Sequence, residues 1–125
     1  MTTLSVRTTH HDDYSVLALN GELDMTSTSS LLSAVDEVLA SGRRRLVVDA
    51  GGLTFCDSHG LDTLVKAQQK VVRADGTMEL THVHGVLRRV LEITKLARAF
   101  TIRPDRADGR RLPDIARFLR FTRWH

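Results

Sequence analysis

The sequence predicts an α/β fold: one domain in which a mixed β-sheet of four to five strands carries helices packed on it, with an extra helix at the C-terminus. Three observations predict it. Short alternating or β-branched segments take turns along the chain with segments of helical period, in the order β-β-α-β-α-β-α-β-α. The length, 125 residues, is that of a single domain. The composition, 42% hydrophobic and 26% charged, is that of a globular chain with an ordinary core.

Each element has its own warrant. Leu4 to His10 reads as a weakly patterned edge strand. Tyr14 to Leu19 alternates, with Ser15, Leu17 and Leu19 on one side and Val16, Ala18 and Asn20 on the other, as a strand does. Gly21 to Met25 is expected to turn the chain, and the hydroxyls of Thr26 to Ser30 to cap a helix. Leu31, Leu32, Val35, Val38 and Leu39 follow helical spacing up to Gly42. Arg45 to Asp49, with Leu46-Val47-Val48, reads as a strand buried on both faces, and Gly51-Gly52 as a loop after it. Leu61, Leu64, Val65, Gln68, Val71 and Val72 mark a second helix, which ends before the turn Asp75-Gly76. Thr77 to Val83 is a strand, Val86 to Thr94 a third helix and Phe100 to Ile102 a brief last strand. Leu112, Ile115, Ala116 and Leu119 outline a fourth helix with Pro113 in its first turn. Right-handed crossovers place the first three helices on one face of the sheet. Residues 1–103 are read as the domain, and 104–125 as an arginine-rich helical extension docked on it.

Composition excludes several classes. No apolar run approaches the roughly 18 residues a membrane span needs. Met1 to His10 has neither the basic start nor the apolar stretch of a secretory signal. The single cysteine, Cys56, has no partner for an internal disulfide, so a reducing, cytoplasmic setting is expected. The net charge of +3 is unevenly spread. Residues 1–97 hold 10 Lys/Arg against 12 Asp/Glu, whereas residues 98–125 hold 8 Arg against 3 Asp. The body is mildly acidic, which argues against nucleic acid as a direct partner.

Two stretches lie where α/β folds place their sites, at the carboxyl ends of strands. One is Asn20-Gly21-Glu22-Leu23-Asp24. The other is Leu53-Thr54-Phe55-Cys56-Asp57-Ser58-His59-Gly60-Leu61, between a strand and a helix. Ser58 falls at the helix start, where unsatisfied backbone N–H groups favour an anion. Asp24 and Asp57 set carboxylates beside it. Each of the three also reads as a plain capping residue.

At these residues the chain resembles the STAS domains of anti-sigma factor antagonists, a bacterial family. The resemblance rests on Leu19-Asn20-Gly21-Glu22-Leu23-Asp24, Leu46-Val47-Val48-Asp49, and Leu53 to Ser58 with Gly60-Leu61, in order and spacing, and extends over residues 4–103. It implies a fold of the kind just derived. It further implies that Ser58 is phosphorylated by a partner anti-sigma factor, a serine kinase of the histidine-kinase-like ATPase type. Asp57, Asp24, His59 and Thr54 would join Ser58 in contacting that partner. The unphosphorylated form would capture the anti-sigma factor and free a sigma factor, and a serine phosphatase would reset the switch. His59 stands where many relatives carry a second serine. The rival within the family is a constitutive scaffold that binds a regulator without a phosphorylation switch.

Other readings are weaker. Asp57, Ser58 and His59 are adjacent, so their side chains diverge and form no relay, and the first glycine of a nucleophile elbow is missing. No enzymatic activity, cofactor or metal is therefore expected. His82 and His84 are two apart but lack a third ligand. Arg43-Arg44-Arg45 reads as a solvated turn. A homodimer sealed by the aromatic tail, with Phe118, Phe121 and Trp124, is an expectation left open, and membrane binding is not expected.

Overall fold

Alternation in the sequence becomes a five-stranded sheet in the computed structural model, which describes residues 3–103. The strands are β1 (Leu4–His10), β2 (Ser15–Leu23), β3 (Arg45–Cys56), β4 (Thr77–Thr81) and β5 (Thr101–Ile102). Their spatial order is that of the sequence. β1 pairs antiparallel with β2, and β2 to β5 run parallel. The helices are α1 (Thr28–Ala40), α2 (Ser58–Arg73) and α3 (Gly85–Thr94). Parallel neighbours need long crossovers, and these helices supply three of them.

One apolar cluster holds the fold together. Leu17, Leu19, Leu46, Val48, Met78, Leu80 and Ile102 from the sheet meet Leu31, Val35, Leu64, Val71, Leu87 and Leu91 from the helices. All three helices thus lie on one face, as right-handed crossovers require. A lysine–aspartate pair, Lys70 to Asp36 at 2.9 Å, bridges α2 to α1. The hydroxyls of Thr28 and Thr63 join the same two helices at 3.0 Å, at the end where Ser58 lies.

The structure corrects four expectations. The chain does not turn at Gly21, because β2 continues to Leu23. The stretch after Asp49 is no loop: β3 runs without a break to Cys56, so Thr54 is a strand residue and Cys56 ends the strand. β3 is not buried on both faces. Leu46, Val48 and Ala50 are buried, while Arg45, Val47 and Asp49 between them are half-buried, because helices cover only one side. Arg43, Arg44 and Arg45 are not simply solvated. Arg43 donates to the carbonyl of His11 at 2.7 Å and Arg44 to that of Leu39 at 3.0 Å. Arg45 lies 5.8 Å from the centre of the Tyr14 ring. The extension expected over 104–125, with its fourth helix, lies outside the described residues.

The length of β3 has a cause. Between Ala18 and Asn20, and again between Gly21 and Glu22, β3 advances one residue more than β2. Each such bulge resets the alternation. Buried positions on β3 therefore fall at Leu46, Val48 and Ala50, then at Leu53 and Cys56. Gly52 permits the first bulge, since a Cβ there would sit 2.7 Å from the Leu19 carbonyl oxygen.

Candidate functional site

β2 and β3 end together, and that places the site. Leu23 is level with Cys56, so Asp24 and Asp57 are the next residues on adjoining strand ends. The Asp57 N–H donates to the Leu23 carbonyl at 3.3 Å, tying the start of α2 to the exit of β2. Gly60 lets them approach: a Cβ on it would lie 2.1 Å from the Leu23 carbonyl oxygen.

Asp57 caps α2. Its carboxylate accepts from the Gly60 N–H at 2.9 Å. Ser58 is the first residue of that 16-residue helix and is exposed. Among the described residues its hydroxyl makes no hydrogen bond. His59 is exposed beside it. An anion on the Ser58 oxygen would stand at the positive end of the α2 dipole.

Asp24 caps the short 3-10 turn Met25–Ser27 that leads into α1. It accepts from the Thr26 hydroxyl at 2.6 Å and the Thr26 N–H at 3.0 Å. The Ser27 hydroxyl stands 3.2 Å away. The Thr26 hydroxyl is the largest cause of a carboxyl held below its ordinary range. Desolvation opposes it, and the Thr26 N–H, Ser27 and Thr3 add to the lowering. Asp24 is thus a charged cap.

Of the residues expected at the site, Asp24, Asp57, Ser58 and His59 come to one end of the molecule. Thr54 is set apart by its bonding. It is exposed on β3, but its hydroxyl donates to the Gly21 carbonyl at 3.1 Å, which gives it a place in the strand pairing. Cys56 is buried, and burial first, then the charge of Asp57, pushes its thiol up to about 12. It therefore stays protonated and is no nucleophile at neutral pH.

Two surface residues escaped the sequence reading. Met25, next to Asp24, is 63% exposed, and Phe55, two residues before Asp57, is 41% exposed. Phe55 is turned out by the second bulge, which leaves Thr54 and Phe55 both outside between buried Leu53 and Cys56. Nothing local in the sequence marks Phe55 as exposed; only the doubled step in the pairing does. His82 and His84 follow β4 rather than lying on it. His82 Nδ1 is 3.1 Å from Asp49 Oδ1, and His84 Nε2 is 3.0 Å from the Gly51 carbonyl. The described residues hold no cluster suited to a metal ion.

A capped helix that presents an exposed serine, with Asp57 before it and Asp24, Met25 and Phe55 at the neighbouring strand ends, stands at the carboxyl end of the sheet of a small α/β domain. Among the described residues, no helix is long and apolar enough to cross a membrane. The chain belongs to the STAS-domain family, matching the model described as "Mlab, STAS domain" over residues 6–104. It is 31% identical over 68 residues to the anti-sigma-F factor antagonist RsfB of Mycobacterium tuberculosis, covering 54% of this chain and 56% of that protein. The match therefore spans a little over half the length of that relative. An anti-sigma factor antagonist from Mycobacterium paratuberculosis superposes with a TM-score of 0.70 at 25% identity, over 97% of this chain and 95% of that one. The Bacillus cell fate determinant SpoIIAA in its phosphorylated form shares the fold, with a TM-score of 0.61 at 17% identity over 78% of this chain and 90% of that one.

Proposed function

We propose that this protein is an anti-sigma factor antagonist that works by partner switching. In its unphosphorylated form it binds an anti-sigma factor, a serine kinase of the histidine-kinase-like ATPase type, and so frees a sigma factor in the bacterial cytoplasm. Phosphorylation of Ser58 releases the partner, and a serine phosphatase restores the first state. The domain itself catalyses nothing: Ser58 supplies a hydroxyl, while the kinase supplies ATP, metal and base.

The observation that carries this reading is the setting of Ser58. It is exposed at the first turn of a long helix, unbonded among the described residues, with Asp57 beside it and Asp24 on the adjoining strand end. Phosphate adds about −1.5 to −2 charges at pH 7. The helix N-terminus accommodates them, so the fold need not change. A partner seated over Met25 and Phe55 would instead have to desolvate the phosphate together with two carboxylates. Like charges brought together at an interface cost several kcal/mol, and about 3 kcal/mol already corresponds to roughly a hundredfold in affinity. His59, exposed at the next position, would tune recognition of the phosphate by hydrogen bonding to it.

The test is intact-mass spectrometry after incubation with ATP, Mg²⁺ and candidate anti-sigma kinases from the same genome, with Ser58→Ala in parallel. One added phosphate, absent from the variant, together with loss of kinase capture by the modified protein, is the expected result. Stable capture of a kinase with no added phosphate would replace the switch with a constitutive scaffold.

A further inference from the structure

The candidate site is made of two turns from separate parts of the chain. One is the exit of β2, with Asp24 and Met25; the other is the start of α2, with Asp57, Ser58 and His59. The Asp57 N–H bond to Leu23 joins them on the strand side. A second connection runs between the helices, and it is made of hydroxyls.

Thr63 stands one turn along α2 from His59 and is 1% exposed. Its hydroxyl donates to the His59 carbonyl at 3.0 Å. Threonines inside helices bond back in this way, and the bond uses the single proton of the group. The Thr28 hydroxyl lies 3.0 Å from the same oxygen. With the Thr63 proton committed to a carbonyl, Thr28 is the donor and Thr63 the acceptor. Thr28 is the first residue of α1. It follows Ser27, which is fully buried and donates to the Glu22 carbonyl at 2.7 Å. The Ser27 hydroxyl also accepts from the Asp24 N–H at 3.3 Å, in the turn that Asp24 caps. The path is thus continuous: Glu22 and Asp24 to Ser27, along the backbone to Thr28, then to Thr63 and the His59 carbonyl.

Shape alone does not call for this path. Valine has the outline of threonine and would fill the space at position 63 with no polar atom to satisfy. A buried hydroxyl is tolerated only when its hydrogen bonds are made. Here both are made, one toward each turn. They are directional, whereas burial of Leu31 and Leu64 in the common core is not.

We infer that Thr28 and Thr63 are positioning residues: their hydroxyl pair locks the Asp24–Met25 turn and the Ser58–His59 turn into one surface for the partner. The functional half of this inference rests on the partner reading above; the structural half does not. A partner that touches both turns meets a surface already in place and loses less to ordering on association.

In the full chain, Thr28→Val and Thr63→Val remove the pair from either side, and Thr63→Ser keeps it. Thermal midpoints should stay within about 6 °C of wild type. Hydrogen exchange followed by NMR reads the lock without a partner. The Gly60 amide is bonded to Asp57 Oδ1 and the Leu61 amide to the Asp57 carbonyl, so both report on the α2 turn. Thr28→Val, a change on α1, should speed both by about threefold or more and leave Val48 and Leu80 of the central strands unchanged. Thr63→Val should do the same to the Ser27 amide, which is bonded to the Asp24 carbonyl, and Thr63→Ser should exchange as wild type. Capture is then measured with the anti-sigma kinase that phosphorylates Ser58. Both valine variants should bind it roughly fivefold more weakly, the share of one hydrogen bond, and Thr63→Ser with full affinity. Unchanged exchange at Gly60 and Leu61 in Thr28→Val would overturn the lock. Faster exchange with undiminished capture, or serine no better than valine, would overturn the positioning role. A wild-type chain that captures no kinase would overturn the partner reading instead, and the exchange rates would still uphold or overturn the lock.

Discussion

Gly60→Ala is the sharpest perturbation of the site's foundation. The new methyl would lie 2.1 Å from the Leu23 carbonyl oxygen and 2.7 Å from its carbon. Ordinary contact requires more than 3 Å, and both atoms belong to backbone inside a parallel pair, so the start of α2 must retreat by about an ångström. Overpacking of this kind typically costs 1–3 kcal/mol, and backbone on both sides places it at the top of that range. The retreat also lengthens the Asp57 N–H bond to Leu23, now 3.3 Å, worth about 1 kcal/mol. The better helix propensity of alanine returns at most about 1 kcal/mol. The expected net loss is about 3 kcal/mol, or roughly 10 °C in melting temperature for a domain of this size. Urea unfolding followed by circular dichroism measures it. A loss below about 0.5 kcal/mol with an unchanged m-value would refute the argument that glycine is needed for close approach of α2 to β2.

Three further outcomes follow from the same geometry. Cys56, with its thiol raised to about 12 by burial, should resist iodoacetamide at pH 8 in the folded protein and react once urea unfolds it; equal rates in both states would show the thiol to be accessible. Asp24, held below its ordinary 3.8 chiefly by the Thr26 hydroxyl, contributes stability that is present above that value and lost as pH falls through its lower folded value. Asp24→Asn should therefore flatten the fall in stability below about pH 4, and an unchanged acid limb would count against that assignment. Deleting Thr54 should leave one-for-one pairing of Gly21–Glu22–Leu23 with Leu53–Phe55–Cys56, with Phe55 still outward opposite exposed Glu22, and a folded domain within about 1–2 kcal/mol of wild type; a loss above about 3 kcal/mol in urea unfolding would show that the strand end depends on the bulge itself.

How much of this was legible in the sequence depends on whether the signal was local. Ser15-Val16-Leu17-Ala18-Leu19 alternates cleanly, and the structure keeps the two sides apart, burying Ser15, Leu17 and Leu19. Leu61, Leu64 and Val71 follow the helical period and are buried. Ser58 at the start of α2 was readable because a cap, a glycine and an apolar period follow one another there. What failed was non-local. Gly51-Gly52 looks like a turn because glycine usually punctuates strands. In the folded chain Gly52 instead makes room for Asn20 and the Leu19 carbonyl on the neighbouring strand. That neighbour lies some 30 residues away, and nothing near Gly52 announces it. The arginine run misled for the same reason, since its carbonyl partners His11 and Tyr14 belong to a distant hairpin.

The two extra residues of β3 connect these failures to the site. With strict pairing, β3 would reach the end of β2 two residues sooner, and Leu53-Thr54 rather than Phe55-Cys56 would lie level with Glu22 and Leu23. The cap Asp57 and the serine after it would then begin beyond the point where Gly60 meets Leu23. One bulge is permitted by Gly52 and the other holds Thr54 through its bond to Gly21. Together they bring Cys56 back into the core beside Leu23 and so anchor the strand immediately before Asp57 and Ser58. The same doubled step turns Phe55 outward. The two bulges together thus fix Ser58 against the end of β2, and the second leaves an apolar side chain exposed beside it. That explains why a segment whose residues look like a loop is built as a strand: a loop could present the serine, but only a paired strand holds it in register with Asp24.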